Sequence, residues 1–169
     1  MMEEMMNESN LDMLYALAKE LNTADDIPTM FDAVITHLPK VIGAKYCSLF
    51  IRNPSSGELE LKAHNHTDIG EDPFINVGSQ QESVMNLVLS RRSSLIIRDI
   101  EEDIGVQNKD KYTTKSFMCI LIKHADDIKG VLNLADKPDG GFSKEDMLIS
   151  SIIGELLGAL LARIDLNAV

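Results

Sequence analysis

The sequence predicts an α+β fold in which helices from both ends of the chain collect on one face of an antiparallel sheet of five or six strands. Three observations carry that expectation. Apolar residues recur at helical spacing near both termini, and the middle of the chain alternates apolar with polar residues among branched and aromatic side chains. The alternating segments then pair off into two hairpins, each closed by a turn-rich stretch. The 169 residues suit one domain, or one domain with a helical extension.

Residues 1–8 (MMEEMMNE) read as a disordered start, followed by a single domain over 9–167. A first helix is expected near Ser9, whose hydroxyl can cap it, with Asp12 three residues on. Leu11, Leu14, Leu17 and Leu21 form its stripe. The acidic pair Asp25–Asp26 opens a second helix that tolerates Pro28 in its first turn and ends at Gly43, with Pro39 distorting the last turn. Residues 44–52 and 58–64 make the first hairpin around Asn53-Pro54-Ser55-Ser56-Gly57. A short helix follows over 81–90, then a brief strand over 95–97. The stretch 99–115 has no sustained period and is long for a connection, which marks it as functional or partly disordered. Residues 117–123 and 128–135 form the second hairpin, and a last helix opens at Ser143 with Asp146 in the box position.

Composition narrows the function. Sixteen basic residues against twenty-seven acidic ones give a net charge of −11, a surface that repels phosphate backbones and anionic bilayers. No nucleic-acid partner and no membrane partner are expected. The apolar run from Met147 to Leu161 is short for a span and carries Glu155, so it reads as a packed helix of a soluble protein. Two cysteines make neither a disulfide framework nor a four-ligand zinc site. The N-terminus has no basic end followed by an apolar core, so a cytoplasmic, reducing location is expected.

Several landmarks occur in a fixed order: Gly43-Ala44 before Cys47-Ser48-Leu49-Phe50, Gly57-Glu58-Leu59, Tyr112 before Lys115-Ser116, and Lys129-Gly130-Val131-Leu132-Asn133-Leu134. They close with Asp136-Lys137-Pro138-Asp139-Gly140-Gly141-Phe142-Ser143-Lys144-Glu145-Asp146. In that order they resemble a GAF domain, the small-molecule-binding regulatory module of signalling proteins, over about residues 9–165. The resemblance implies a PAS-related layout: terminal helices on one sheet face, the short helix and long loop over the other. Cyclic-nucleotide-responsive members carry an Asn-Lys, Phe, Asp-Glu signature in the closing stretch. Lys137, Phe142 and Asp146 match it, while Asp136 stands for the Asn and Met147 for the Glu, so a cyclic nucleotide remains a possible ligand with an incomplete motif. Without the family, the same residues read as a latch, Lys137 pairing with Asp146 at the start of the last helix.

Each reactive side chain also has a structural reading. Some GAF proteins reduce methionine sulfoxide with paired thiols, but Cys47 and Cys119 lie inside expected strands, and the thiol-dense segment of those reductases is absent. His64-x-His66 spacing allows both rings on one side of a strand, with Asp68 the nearest third group; exposed strand-end histidines are the simpler reading, and no metal is assigned. Asp99, Glu101, Glu102 and Asp103 read as a solvated charge run. No triad, phosphate loop or kinase signature is present, so the chain is not read as an enzyme, and no cofactor is named.

The last helix carries more apolar residues than one face needs, with Gly154, Gly158 and Ala162 spaced by four as a strip for close helix approach. Either the two terminal helices bury that surplus against each other within one chain, or they build a bundle between two chains. The resemblance, since GAF domains often dimerise through these helices, makes homodimerisation the expectation. Strand alternation puts Tyr46, Ser48 and Phe50 on one side and Cys47, Leu49 and Ile51 on the other. A ligand pocket is therefore expected to touch Ser48, Met85, Asp99, Tyr112, Ser116, Met118 and Asn133. The functional expectation is a sensor and dimerisation module of a bacterial-type signalling protein, relaying ligand binding through its terminal helices to an output domain or effector. The alternatives are a ligand-free interaction scaffold or a small redox enzyme such as a methionine sulfoxide reductase.

Overall fold

The computed structural model describes residues 2–67 and 84–167, with side chains over 9–67 and 84–164. Helix α1 (Met2–Thr23) runs back about two turns before the start expected at Ser9, so it covers most of the 1–8 segment expected to be disordered. Helix α2 (Ile27–Ile42) begins as its sequence dictates. Asp26 is the cap, accepting from the Thr29 N–H at 2.8 Å, and Pro28 sits in the first turn. Gly43 ends it at φ 84°, and its N–H, with that of Ala44, donates to the Pro39 carbonyl, so the helix passes through Pro39.

Five strands follow, all antiparallel: β1 (Tyr46–Arg52), β2 (Leu59–His64), β3 (Leu95–Ile97), β4 (Phe117–His124) and β5 (Asp127–Ala135). Their order across the sheet is β2-β1-β5-β4-β3. The sixth strand left open by the sequence has no counterpart among the described residues. Between β2 and β3 a helix, α3, spans 84–91; residues 81–83 of the helix expected over 81–90 lie outside the described residues, as does Asp68. The stretch after β3 opens with a one-turn helix, α4 (Ile100–Ile104), where only loop was expected. Helix α5 (Lys144–Asn167) closes the fold.

Strand alternation divides the core in two. Cys47, Leu49, Met118, Ile120, Leu132 and Leu134 face α1, α2 and α5, packing on Leu17, Leu21, Phe31, Leu38, Ile153 and Leu157. Phe50, Phe117, Cys119, Leu121 and Val131 face a roof made by α3, α4 and the segment reaching Tyr112. Fully burying an aliphatic or aromatic side chain contributes about 1.5–3 kcal/mol, so both layers are integral to stability.

The glycines of α5 correct the sequence reading. A Cβ at Gly154 would lie 3.3 Å from Ile120 Cγ2, and one at Gly158 would overlap the Lys123 carbonyl oxygen at 2.2 Å. The strip therefore seats α5 against β4 and is not a surface for a second helix. By length and composition α5 alone would pass as a membrane span; one of its faces packs on β4.

Candidate functional site

The floor of the candidate site is set by register. Ser48 of β1 is opposite Asn133 of β5, and Asn133 is opposite Cys119 of β4. These three form a row across the middle of the roofed face, each at most 4% exposed. Asn133 Nδ2 is buried without a hydrogen-bond partner, and an unsatisfied buried donor costs about 1–3 kcal/mol. Burial raises both cysteine thiols above their ordinary range, which keeps Cys47 and Cys119 protonated at neutral pH.

The roof is apolar, with an aromatic group carrying His66 and Lys111 at its edge. Val84, Met85 and Val88 of α3, Ile100 of α4 and Tyr112 are buried over the sheet. The Tyr112 ring meets Tyr46 and Phe117 edge-on, at centroid distances of 5.4 and 5.2 Å. His66 stacks on Tyr46 at 4.7 Å. Lys111 Nζ donates to His66 Nδ1 at 2.7 Å and stands 5.1 and 5.2 Å from the Tyr46 and Tyr112 ring centres. His66 is thus a buried member of an aromatic group, not an exposed strand-end histidine.

At the end of β5 the chain turns at Asp136, which adopts φ 67°. Its Oδ1 accepts from the Thr113 hydroxyl at 2.8 Å and the Thr114 N–H at 2.7 Å, while Oδ2 is buried without a partner. Burial alone would raise this carboxyl. The hydrogen bonds from Thr113 and Thr114 together outweigh it and hold the pKa below the ordinary value. The expected latch forms one turn on. Lys137 pairs with Asp146, whose Oδ2 also accepts from the Ser143 N–H at 2.8 Å, and the Asp146 N–H donates back to Ser143 Oγ at 3.1 Å.

Of the seven residues expected to line a pocket, Ser48, Asn133, Met85 and Tyr112 share the roofed layer. Ser116 lies buried at its edge, its hydroxyl 2.8 Å from that of Thr114. Asp99 is occupied elsewhere: its carboxylate caps α4, accepting from the N–H groups of Glu101 and Glu102. Met118 belongs to the opposite face, packed among the helices. The rest of the acidic run also serves the local fold. Asp103 accepts from the N–H groups of Arg98 and Asp99, and Glu101 pairs with Lys115 at 2.6 Å. Sequence reasoning did not place Cys119, His66, Lys111 or Asp136 at the site. Cys119 was within reach, since it shares the parity of Phe117; the others meet only through tertiary contacts. Among the described residues no group of three His, Cys, Asp or Glu side chains is placed to hold a metal ion.

A family profile for the GAF domain matches residues 26–161, most of the chain. The chain belongs to the GAF domain family. No curated protein sequence matches it. Among solved structures, the GAF domain of a phosphoenolpyruvate-protein phosphotransferase from Coxiella burnetii superposes with a TM-score of 0.76 at 20% identity, covering 94% of this chain and 96% of that one. A segment of a methyl-accepting chemotaxis protein gives 0.70 at 15% identity, covering 89% and 98%. The free methionine-R-sulfoxide reductase of Neisseria meningitidis, solved with its substrate, also gives 0.70 at 14% identity, covering 89% and 86%. At these identities the likeness shows the GAF fold, which parts of a phosphotransferase and of a chemotaxis protein share with a reductase.

Proposed function

We propose that this GAF domain is a cytoplasmic regulatory sensor that holds a small molecule between the sheet and its roof. Occupancy would shift the roof against the sheet and reach an output domain or effector through the terminal helices. The observation that carries this reading is the buried Asn133 amide, left without a partner beside Ser48. A ligand bearing a hydrogen-bond acceptor would satisfy it. The test is a thermal-shift screen of cyclic nucleotides, amino acids and haem against wild type and Asn133→Leu. A rise in Tm that the substitution removes is expected. A rise that survives it moves the site elsewhere, and no rise across the screen favours the ligand-free scaffold.

We read neither cysteine as catalytic, because both are fully buried and held as thiols. Methionine sulfoxide reduction that is lost in Cys119→Ser would reinstate the enzyme reading. We further propose that the domain works as a homodimer through α1 and α5. Leu11 and Tyr15 on α1, and Leu148, Ile152 and Leu156 on α5, are large apolar side chains left exposed.

A further inference from the structure

We propose that the groove on the helix side of the sheet, at the hairpin-loop end of β1, is a second binding site, for an amphipathic organic anion such as a medium-chain carboxylate. The groove encloses about 700 Å³, within the range of small-molecule pockets. Its apolar lining comes from Phe31 of α2, Ile51 of β1, and Leu161 and Ile164 of α5. It is distinct from the proposed sensor site, which lies on the other sheet face, so the two readings stand or fall separately.

The rim decides the ligand class. It carries Arg52, Lys62 and Lys129 against Glu60 and Asp127. Both acids are already paired, Glu60 with Lys62 and Asp127 with Lys129, each at 2.9 Å. Among the described residues Arg52 makes no ion pair, and it stands beside the small Gly57, from which a Cβ would lie 3.7 Å from Arg52 Nη2. After the Lys129 hydrogen bond, the Arg52 charge helps hold the Asp127 carboxyl below its ordinary range. Yet no carboxylate is in direct contact with Arg52 among the described residues, so a chain with net charge −11 presents a guanidinium with its hydrogen-bonding edge open at the mouth of an apolar groove. A single carboxylate matches that guanidinium in charge and in two-pronged geometry. A polyphosphate would bring several negative charges against Glu60 and Asp127 for the one guanidinium, where a carboxylate brings a single charge, and a cation would find both acids already paired with lysines.

The loop that follows Arg52 is fixed before any ligand arrives. Asn53 Oδ1 accepts from the Ser55 and Ser56 N–H groups, and Asn53 Nδ2 donates to Glu60 Oε1 at 2.8 Å. A rim held this way loses little freedom on binding. Because Leu161 and Ile164 form one wall, an occupant would tie the far end of α5 to the two hairpin loops.

The test is a titration of the labelled protein with sodium octanoate, followed by amide NMR, with octan-1-ol as the uncharged control. Octanoate should shift the amides of Ile51, Arg52, Gly57, Lys129 and Ile164 and bind more tightly than octan-1-ol. Arg52→Gln should weaken octanoate about tenfold and leave octan-1-ol unchanged. Ile164→Trp should fill the groove and abolish binding of both. Arg52 is exposed, so its variant keeps the fold even if the tryptophan variant does not. Equal affinity for the two probes, octanoate binding unaffected by Arg52→Gln, or shifts confined to 84–91 and 97–117 would each overturn the proposal.

Discussion

Asp146 concentrates three stabilising interactions in one carboxylate. It caps the first turn of α5 through the Ser143 N–H, pairs with Lys137, and places negative charge at the positive end of the helix. It is only 7% exposed, so solvent screens the pair weakly. Asp146→Ala should cost about 1–2 kcal/mol, read as a lower urea midpoint. Asp146→Asn, which keeps an acceptor for the cap, should recover part of that loss. An unchanged midpoint in Asp146→Ala would remove the latch from the account. Asp136 gives a pH-dependent counterpart. Its folded pKa is depressed, so its ionised form contributes stability that is present above the unfolded carboxylate pKa of about 3.9 and lost as pH falls through the lower folded value. Asp136→Asn should therefore be less stable than wild type near pH 7, and the gap should narrow steadily on acidification below about pH 4. A gap that stays constant from pH 7 to pH 3 would show that the ionised carboxylate adds nothing.

At the scale of elements, the two glycines of α5 make opposite predictions from one strip. Alanine is favoured over glycine by about 0.8–1.0 kcal/mol inside a helix, so sterics alone decide the sign of each change. At Gly154 the nearest atom is the end of the Ile120 side chain at 3.3 Å, which can yield, and Gly154→Ala should be neutral or mildly stabilising. At Gly158 the nearest atom is the Lys123 backbone oxygen at 2.2 Å, which can yield only if α5 lifts from β4. Gly158→Ala should destabilise by about 1–3 kcal/mol in the same denaturation assay. Equal effects would mean that the strip does not seat the helix. The strip also shows what the sequence could convey. Helix limits such as Asp26, Gly43 and Ser143 were legible because capping is local chemistry. The hairpins were legible because alternation and turn residues are local too. Which surface meets a glycine strip is a tertiary fact, and it was read as a second helix when it is a strand. Met118 was misplaced for a related reason. Ser116 precedes the first residue of β4, so carrying its parity into the strand puts Met118 on the roofed face, and a one-residue error in phase reverses a whole strand.

In the whole molecule the sheet separates two functions of packing. One face builds the roofed layer with its unpaired Asn133 amide, and the other anchors three helices, of which α1 and α5 also touch each other. Seating the glycine strip on β4 leaves Leu148, Ile152 and Leu156 at helical spacing on the outward side of α5, with Leu11 and Tyr15 exposed on α1. Leucines and isoleucines left exposed at four-residue intervals form a ridge of the kind that interdigitates with another helix, and burying such a ridge against its copy releases about 25 cal/mol per Å² of apolar surface. Ile152 is 49% exposed, so an aspartate there costs the isolated domain little, whereas at the centre of a seam it would bury a charge without a partner. Ile152→Asp should therefore convert a dimer to a monomer by light scattering at tens of micromolar, with the far-ultraviolet circular dichroism spectrum unchanged. Wild-type protein that is already monomeric at that concentration, or a variant that stays dimeric, would show that the stripe is not the seam.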